Sequence, residues 1–164
     1  MIVAERRTSL RASPRGGVGW NTGPMSAHVV PCPTCGTRNR VPAVASGIPH
    51  CLSCHASLPW IATADDSNLD AVTDSSRLPV LIDLWAPWCG PCRQLSPLLE
   101  KAARERAGKM KLVRVNVDQA PGAARLFDAR SIPTLVLLSK GRRIGRQVGA
   151  LPAAQLTRWL DGLL

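Results

Sequence analysis

The sequence is poor in aromatic residues and has no long apolar run. It contains no Tyr, one Phe and five Trp, so an apolar core must be built mainly from Leu, Val, Ile and Ala. A membrane-spanning helix needs roughly 20 apolar residues, and here Asp83 interrupts the most apolar segment. The first 20 residues lack an apolar run between their arginines, which argues against a secretory signal peptide. These absences favour a globular protein without a membrane span, expected in the cytoplasm.

The positive charge is large but is not concentrated in one place. The formal net charge is +10, and Arg outnumbers Lys 17 to 4. A basic protein invites a nucleic-acid interpretation, because cations release counterions from phosphate. No predicted helix or strand carries a dense basic stripe, however, so specific nucleic-acid binding is not expected.

Composition divides the chain into three parts. Residues 1–26 are rich in Arg, Ser, Gly and Pro without periodicity, and are expected to form a disordered extension. Met25 is an alternative start, and an organelle transit peptide is a second explanation of this segment. Residues 27–58 contain four cysteines and few apolar residues, so a unit this small needs a metal ion or disulfides to stabilise it. Residues 59–164 carry the regular pattern of a larger domain.

Residues 59–164 predict the element order β-α-β-α-β-α-β-β-α. A short helix should follow residues 59–64, with Asp65 or Asp66 as its N-cap. PVLIDLW reads as a strand buried on both faces. Helices are expected over 93–107, where Pro97 should cause a kink, over 121–129, and at the C-terminus. The order predicts an α/β protein, a three-layer α/β/α sandwich with a mixed central sheet.

The six cysteines all occur as Cys-x-x-Cys pairs, and two of these pairs match a zinc motif. Cys32, Cys35, Cys51 and Cys54 form a C-x2-C-x15-C-x2-C pattern, in which two facing knuckles supply four thiolates. Four cysteines would fill all the coordination positions of the metal and leave none for water, so one structural Zn2+ is predicted. No organic cofactor is expected. Two local disulfides or an iron-sulfur centre are the alternatives. His50 and His55 flank the second knuckle and are expected to be solvated rather than ligating.

The third pair, in WCGPC, lies between a predicted buried strand and a helix. Unpaired amides and the positive end of the helix dipole would stabilise a thiolate at Cys89, lowering its pKa. Cys92 lies one turn further along and should be the more buried, resolving thiol. Gly90 and Pro91 keep the intervening turn tight. No second knuckle is available to complete a metal site, so this pair is predicted to do redox chemistry.

The motifs IDLWAPWCGPC, NVDQ, SIPTLVLL and VGAL resemble those of thioredoxins, over roughly residues 60–164. The four-cysteine segment in front of them resembles the cytoplasmic thioredoxin 2 type in particular. The resemblance implies a thioredoxin fold with a small zinc-ribbon-like module. It also implies that Cys89 attacks a substrate disulfide and that Cys92 resolves the mixed disulfide. Asp83 lies inside a buried strand, where a charge is costly, so the pKa of its carboxyl is expected to be raised. By the resemblance, this carboxyl would accept the proton of the buried thiol.

The resemblance also implies a substrate surface. Pro133 would be a cis-proline facing the active site. Ile132, Trp88 and the segment 148–150 would form a flat apolar patch, where Gly149 lets the substrate backbone approach. Leu84, Arg93 and Arg114 depart from residues frequent in the family, and Arg114, which cannot be deprotonated, would neighbour the buried Asp83.

These features predict a protein-disulfide reductase that supports cell redox homeostasis. Its expected partners are an NADPH-dependent thioredoxin reductase and disulfide-containing client proteins, and a monomer is expected. Two other functions are compatible with the sequence: a thioredoxin-fold chaperone or interaction protein, and a zinc redox sensor from which oxidant ejects the metal.

Overall fold

The computed structural model describes residues 27–45 and 47–164, so the predicted N-terminal extension and Met25 lie outside the described residues. The described chain contains seven strands and four helices. The strands are β1 His28–Pro31, β2 Arg38–Val41, β3 Trp60–Ala64, β4 Val80–Trp85, β5 Lys111–Asn116, β6 Thr134–Ser139 and β7 Arg142–Val148; the helices are α1 Leu69–Asp74, α2 Gly90–Glu105, α3 Pro121–Leu126 and α4 Ala153–Asp161. From β3 onward this is the predicted element order.

The central sheet is mixed, as predicted. Its strand order is β3-β5-β4-β6-β7. β5 pairs in parallel with both β3 and β4, whereas β6 is antiparallel to β4 and β7 is antiparallel to β6. The unbroken apolar run of β4 reflects its place in the middle, because a central strand is covered on both faces. Asp83 is thereby held in the centre of the sheet, opposite Arg114 on β5 and Leu135 on β6.

Helices cover both faces of this sheet. Successive residues of β4 point to opposite sides, so Ile82 packs in the cluster that contains α1 and α3 residues, while Leu81 packs with α2 and α4. The two clusters are almost entirely aliphatic, as the scarcity of aromatic residues requires. The fold is therefore the three-layer α/β/α thioredoxin fold. None of the helices in the described part of the chain combines the length and apolar character needed to cross a bilayer.

Helix boundaries differ from the prediction at three places. α1 begins at Leu69 with Asn68 as N-cap, so the expected cap at Asp65 or Asp66 was wrong. The Asp66 carboxylate instead accepts hydrogen bonds from the backbone N–H groups of Gly122 and Ala123, at the start of α3. α2 begins at Gly90, three residues before the predicted start, and α3 ends at Leu126.

The four-cysteine segment packs on the sheet rather than standing apart from it. β1 and β2 form an antiparallel hairpin, and Val30, Val41 and Leu58 share a small core with Trp60, the first residue of β3. The indole N–H of Trp60 donates to the Pro42 carbonyl at 2.9 Å. A buried lysine on β5 reinforces this contact.

That lysine is Lys111, which has no exposed surface and whose pKa is lowered to about 8 by desolvation. Its Nζ donates to the carbonyls of Ala43 and Val72 and lies 4.2 Å from the centre of the Trp60 ring. The ammonium thus joins three parts of the chain: the segment after β2, helix α1 and strand β5.

Candidate active site and metal centre

The WCGPC motif occupies the junction between β4 and α2. Cys89 is the N-cap of α2, in extended conformation, and its Sγ accepts the backbone N–H of Cys92 at 3.2 Å. Pro91 lies in the first turn, where the N–H that proline lacks would have no acceptor within the helix. A disulfide joins Cys89 and Cys92, whose Cα atoms are 5.3 Å apart. One sulfur therefore lies directly at a helix N-terminus, the position from which the sequence predicted its reactivity.

Both sulfurs are largely covered. Cys89 is 5% exposed and Cys92 2%, which is the predicted order of burial. They pack with Ala86 in a small apolar cluster, against which Ile132 and Trp85 also lie. Access to the pair is therefore narrow, and Cys89 is the more accessible of the two sulfurs.

Asp83 is buried in the sheet and is only half satisfied. It is 1% exposed, and burial raises the pKa of its carboxyl to about 6 although Arg114 opposes the shift. The Nε atom of Arg114 lies 3.3 Å from Oδ2. Oδ1 is buried and accepts no hydrogen bond among the described residues. A carboxyl group of this kind can take up or release a proton close to neutral pH.

Arg114 contacts three further side chains besides that of Asp83. Its guanidinium lies over the Trp85 ring, 4.6 Å from the ring centre. Nη2 donates to Ser96 Oγ at 2.6 Å, and Nη1 lies 3.8 Å from Glu100 Oε1. Ser96 Oγ in turn donates to the Cys92 carbonyl at 3.0 Å. A continuous chain of contacts therefore links Asp83 to the backbone of Cys92.

An apolar surface surrounds the cysteine pair. Trp88 is 69% exposed, Val148 is 42% exposed and Ile132 is half-buried. The Ile132–Pro133 peptide bond is cis, as the resemblance implied. The backbone N–H of Gly149 donates to the Pro133 carbonyl at 2.8 Å, which ties the β7 end of this surface to the cis-proline.

Gly149 has a φ of +86°, and a Cβ at this position would meet nothing within 4 Å. The glycine is thus required by its backbone conformation, and the space beside it is open to a ligand.

Two residues near the site were missed at the sequence level. Asp118 accepts a hydrogen bond from the Trp88 indole at 3.0 Å and so orients the exposed ring. It lies within NVDQ, but no spacing rule connects it to a residue thirty positions earlier. Ser96 has no signal at all, because a serine inside a helix usually bonds only to its own backbone.

The four remaining cysteines converge on one point. Their Sγ atoms all lie within 4.8 Å of one another, and the Cys32–Cys54 and Cys35–Cys51 pairs are both 3.5 Å apart. A tetrahedral zinc with sulfur at about 2.3 Å needs sulfurs about 3.8 Å apart. The donor set and its spacing therefore fit Zn2+, and Cys32 and Cys51 are buried while Cys35 and Cys54 are exposed.

The two knuckles have the same backbone design. In each, the first cysteine carbonyl accepts the N–H of the residue after the second cysteine, and that residue has positive φ: Gly36 at +75° and His55 at +60°. His50 Nδ1 lies 3.1 Å from the His55 carbonyl; both histidines are exposed, and the cluster of four possible ligands contains only the cysteines.

The second knuckle also stabilises a thiolate. The backbone N–H of Cys54 is the main cause that lowers the pKa of the Cys51 thiol to about 6. Asn39 Nδ2 approaches the same sulfur at 3.6 Å, while its Oδ1 accepts the Leu52 N–H. Amide donors around a sulfur favour the charged form that a metal binds.

Comparison with known proteins places the regular domain in a family. The thioredoxin family model matches residues 60–162. A thioredoxin of Haemophilus influenzae is 44% identical over 97 residues, covering 59% of this chain and 91% of that protein. A chloroplastic M-type thioredoxin of Pisum sativum is 41% identical over 101 residues, 62% of this chain and 59% of that protein.

A third relative also aligns with the N-terminal part of the chain. Thioredoxin C-3 of Corynebacterium nephridii is 36% identical over 136 residues, 81% of this chain and 93% of that protein. Because 81% is more than the share of the chain that follows Trp60, the alignment extends into the four-cysteine segment. With the fold, the cysteine pair and these matches in agreement, the chain belongs to the thioredoxin family of thiol-disulfide oxidoreductases.

Proposed function

We propose that the protein is a cytoplasmic thioredoxin 2-type reductase of protein disulfides, with a zinc module in residues 27–58 and a thioredoxin domain in residues 59–164. The observation that carries this proposal is the placement of the Cys89–Cys92 pair at the start of α2, near a half-satisfied buried carboxyl and a cis-proline. The four converging sulfurs support the thioredoxin 2 type.

Cys89 is the attacking residue in this proposal. Its thiolate, stabilised by the Cys92 amide and the helix end, attacks one sulfur of a substrate disulfide. A bond forms between Cys89 and that sulfur, and the other substrate sulfur leaves as a thiolate, which takes a proton from solvent. The greater exposure of Cys89 supports this order of events.

Cys92 then resolves the mixed disulfide. Its thiol gives its proton through water to Asp83, whose Oδ1 has a free lone pair. The Cys92 thiolate attacks Cys89 Sγ and displaces the second substrate thiolate. The substrate has gained two electrons, and the protein pair is left as the disulfide seen in the structure. Reduction by an NADPH-dependent thioredoxin reductase would reverse these steps and restore both thiols.

The client would bind on the apolar surface formed by Trp88, Ile132 and Val148. Gly90 and Pro91 keep the reactive turn narrow, and the open space at Gly149 would admit an extended substrate backbone beside cis-Pro133. Recognition of main chain and apolar side chains, rather than of one sequence, suits a protein that acts on many disulfides. No organic cofactor is needed for this chemistry.

The zinc would be held by Cys32, Cys35, Cys51 and Cys54. When bound, Zn2+ would neutralise the thiolates and join the two knuckles, a structural role because the protein would fill all four positions. Cysteines that hold a metal, rather than structural disulfides, are typical of a reducing compartment, which supports the cytoplasmic assignment.

Reduction of insulin disulfides by NADPH and a thioredoxin reductase tests the proposal. Wild type should turn over, whereas Cys89→Ser should be inactive because the attacking sulfur is gone. Cys92→Ser should accumulate a mixed disulfide with insulin, visible as a mass increase that dithiothreitol removes. Turnover by the Cys89→Ser variant would contradict the mechanism.

A further inference from the structure

The guanidinium of Arg114 divides one of its edges between two acceptors. In arginine, Nε and Nη2 lie on the same edge and form the fork that binds both oxygens of a carboxylate. Here Nε contacts Asp83 Oδ2 at 3.3 Å, whereas Nη2 donates to Ser96 Oγ at 2.6 Å. The two nitrogens of the fork are therefore split between different acceptors, and the pairing with Asp83 uses the single N–H of Nε.

The split leaves one oxygen of Asp83 without a partner. Oδ1 is buried and accepts nothing among the described residues. An unsatisfied carboxylate oxygen is costly, and Arg114 beside Asp83 has five N–H donors that could bond to it. Oδ1 therefore stays unbonded only if another acceptor takes the N–H of Nη2. Ser96 is that competitor, and it is fixed because its own hydroxyl donates to the Cys92 carbonyl at 3.0 Å.

We propose that Ser96 is a positioning residue for the proton-transfer step, which holds Arg114 in one-point contact with Asp83 so that Oδ1 stays free. This inference rests on the proposed function of Cys89, Cys92 and Asp83. Ser96 touches no reacting atom. It acts through Arg114. The contacts of Arg114 with Trp85 and Glu100 keep the guanidinium plane in place, and the Ser96 hydroxyl determines which acceptor Nη2 bonds to.

The groups that face Asp83 determine the direction in which its pKa should change when the Ser96 hydroxyl is removed. On β5 the facing charge is Arg114, on β6 the opposite residue is the apolar Leu135, and from α2 the nearby charge is Glu100, which contacts Arg114. Without the Ser96 hydroxyl, Nη2 becomes available to Oδ1 on the same edge. A two-point ion pair favours the ionised carboxyl, which makes Asp83 a weaker base and occupies the oxygen that takes the proton.

The test uses Ser96→Ala with Ser96→Thr as the matched control that keeps a hydroxyl. The titration of the Asp83 carboxyl is followed by NMR in the oxidised protein, where Cys89 and Cys92 carry no titrating thiol. The Asp83 midpoint should fall by about one pH unit in Ser96→Ala and stay at the wild-type value in Ser96→Thr. The acid limb of the insulin-reduction profile should move the same way, with a plateau several-fold lower because a weaker base accepts the proton less readily.

A double-mutant cycle with Arg114→Lys separates the fork from other effects of the substitution. A lysine ammonium has no second N–H on a rigid edge, so Ser96→Ala should leave the Asp83 midpoint unchanged in the Arg114→Lys background. An equal shift in both backgrounds would overturn the inference, as would an unshifted or raised midpoint in Ser96→Ala alone. The NMR titration does not depend on turnover, so failure of insulin reduction by wild type would count against the proposed function, while the Asp83 midpoints would still test whether Ser96 controls the contact between Arg114 and Asp83.

Discussion

Asp83 is the residue at which burial and charge oppose each other most directly. Burial raises the pKa of its carboxyl to about 6, against an ordinary value near 3.8, and Arg114 only partly offsets this. The folded protein therefore binds the proton more tightly than the unfolded chain does. The stability that comes from this proton is fully present below about pH 4 and is lost as the pH rises through 6.

Replacement of Asp83 by Asn should consequently stabilise the protein at high pH. A difference of about two pKa units, in which the attraction of Arg114 is already included, corresponds to about 3 kcal/mol. We expect Asp83→Asn to raise the free energy of unfolding by about 3 kcal/mol at pH 8, and by little at pH 4. Urea unfolding at the two pH values measures this, and an equal difference at both would contradict the assignment of the pKa to Asp83.

The residues of the site were predictable to the extent that local spacing carries them. The cysteine pairs are separated by fixed short intervals, and Asp83 is conspicuous as a charge within an apolar strand. Ser96 and Asp118 acquire their roles only from contacts with Arg114 and Trp88, at separations of 18 and 30 residues. Such contacts depend on how β5 and α2 pack, and no local pattern records that.

At the scale of elements, the turn between α2 and β5 shows how closely the two parts of the chain approach. Gly108 in this turn has a φ of +78°, and a Cβ there would lie 2.7 Å from Ser57 Oγ and 2.9 Å from Ser57 Cβ. Ser57 belongs to the four-cysteine segment. The absence of a side chain at Gly108 therefore permits both the turn and the contact between the segments.

Gly108→Ala should be more destabilising than an alanine at an open glycine with the same backbone conformation. Gly141 is the matched control, since it has a φ of +72° and nothing within 4 Å of a Cβ. Each substitution costs about 1 kcal/mol for the left-handed conformation, and Gly108→Ala should cost about 1–2 kcal/mol more for the close contact. Equal losses in chemical denaturation would show that the contact with Ser57 has no energetic weight.

The elements of the thioredoxin domain were predictable because each carries a complete pattern of its own. β4 is an unbroken apolar run, and α4 places Leu156 and Leu160 on one face. The start of α1 was mispredicted because Asp65 and Asp66 both look like caps. Asp65 accepts instead from Ser67, and Asp66 caps α3, more than fifty residues later. The β1–β2 hairpin was not predicted at all, since four-residue strands beside knuckles have too few residues to show a period.

At the scale of the whole molecule, the two parts share a core, and this makes the proposed zinc a determinant of overall stability. Trp60 opens β3 of the central sheet and yet packs with Cys32, Cys51 and Leu58. Its indole N–H and the Lys111 ammonium both bond to carbonyls of residues 42 and 43. Unfolding of the four-cysteine segment would uncover the Trp60 ring and leave a buried cation without one of its acceptors.

Metal removal should therefore lower the melting temperature of the whole protein rather than release an independent segment. Lost burial of Trp60 and two lost hydrogen bonds amount to about 3 kcal/mol, or a decrease of about 10 °C for a chain of this size. Calorimetry of the Cys89→Ser/Cys92→Ser variant is the cleanest measurement, because only the four module thiols then react. With one zinc bound these four should resist a thiol reagent, and chelation should expose all four while the single transition moves down. A sheet that melts at the same temperature with and without metal would contradict this prediction, because the contacts of Trp60 and Lys111 with the four-cysteine segment would then not depend on the metal.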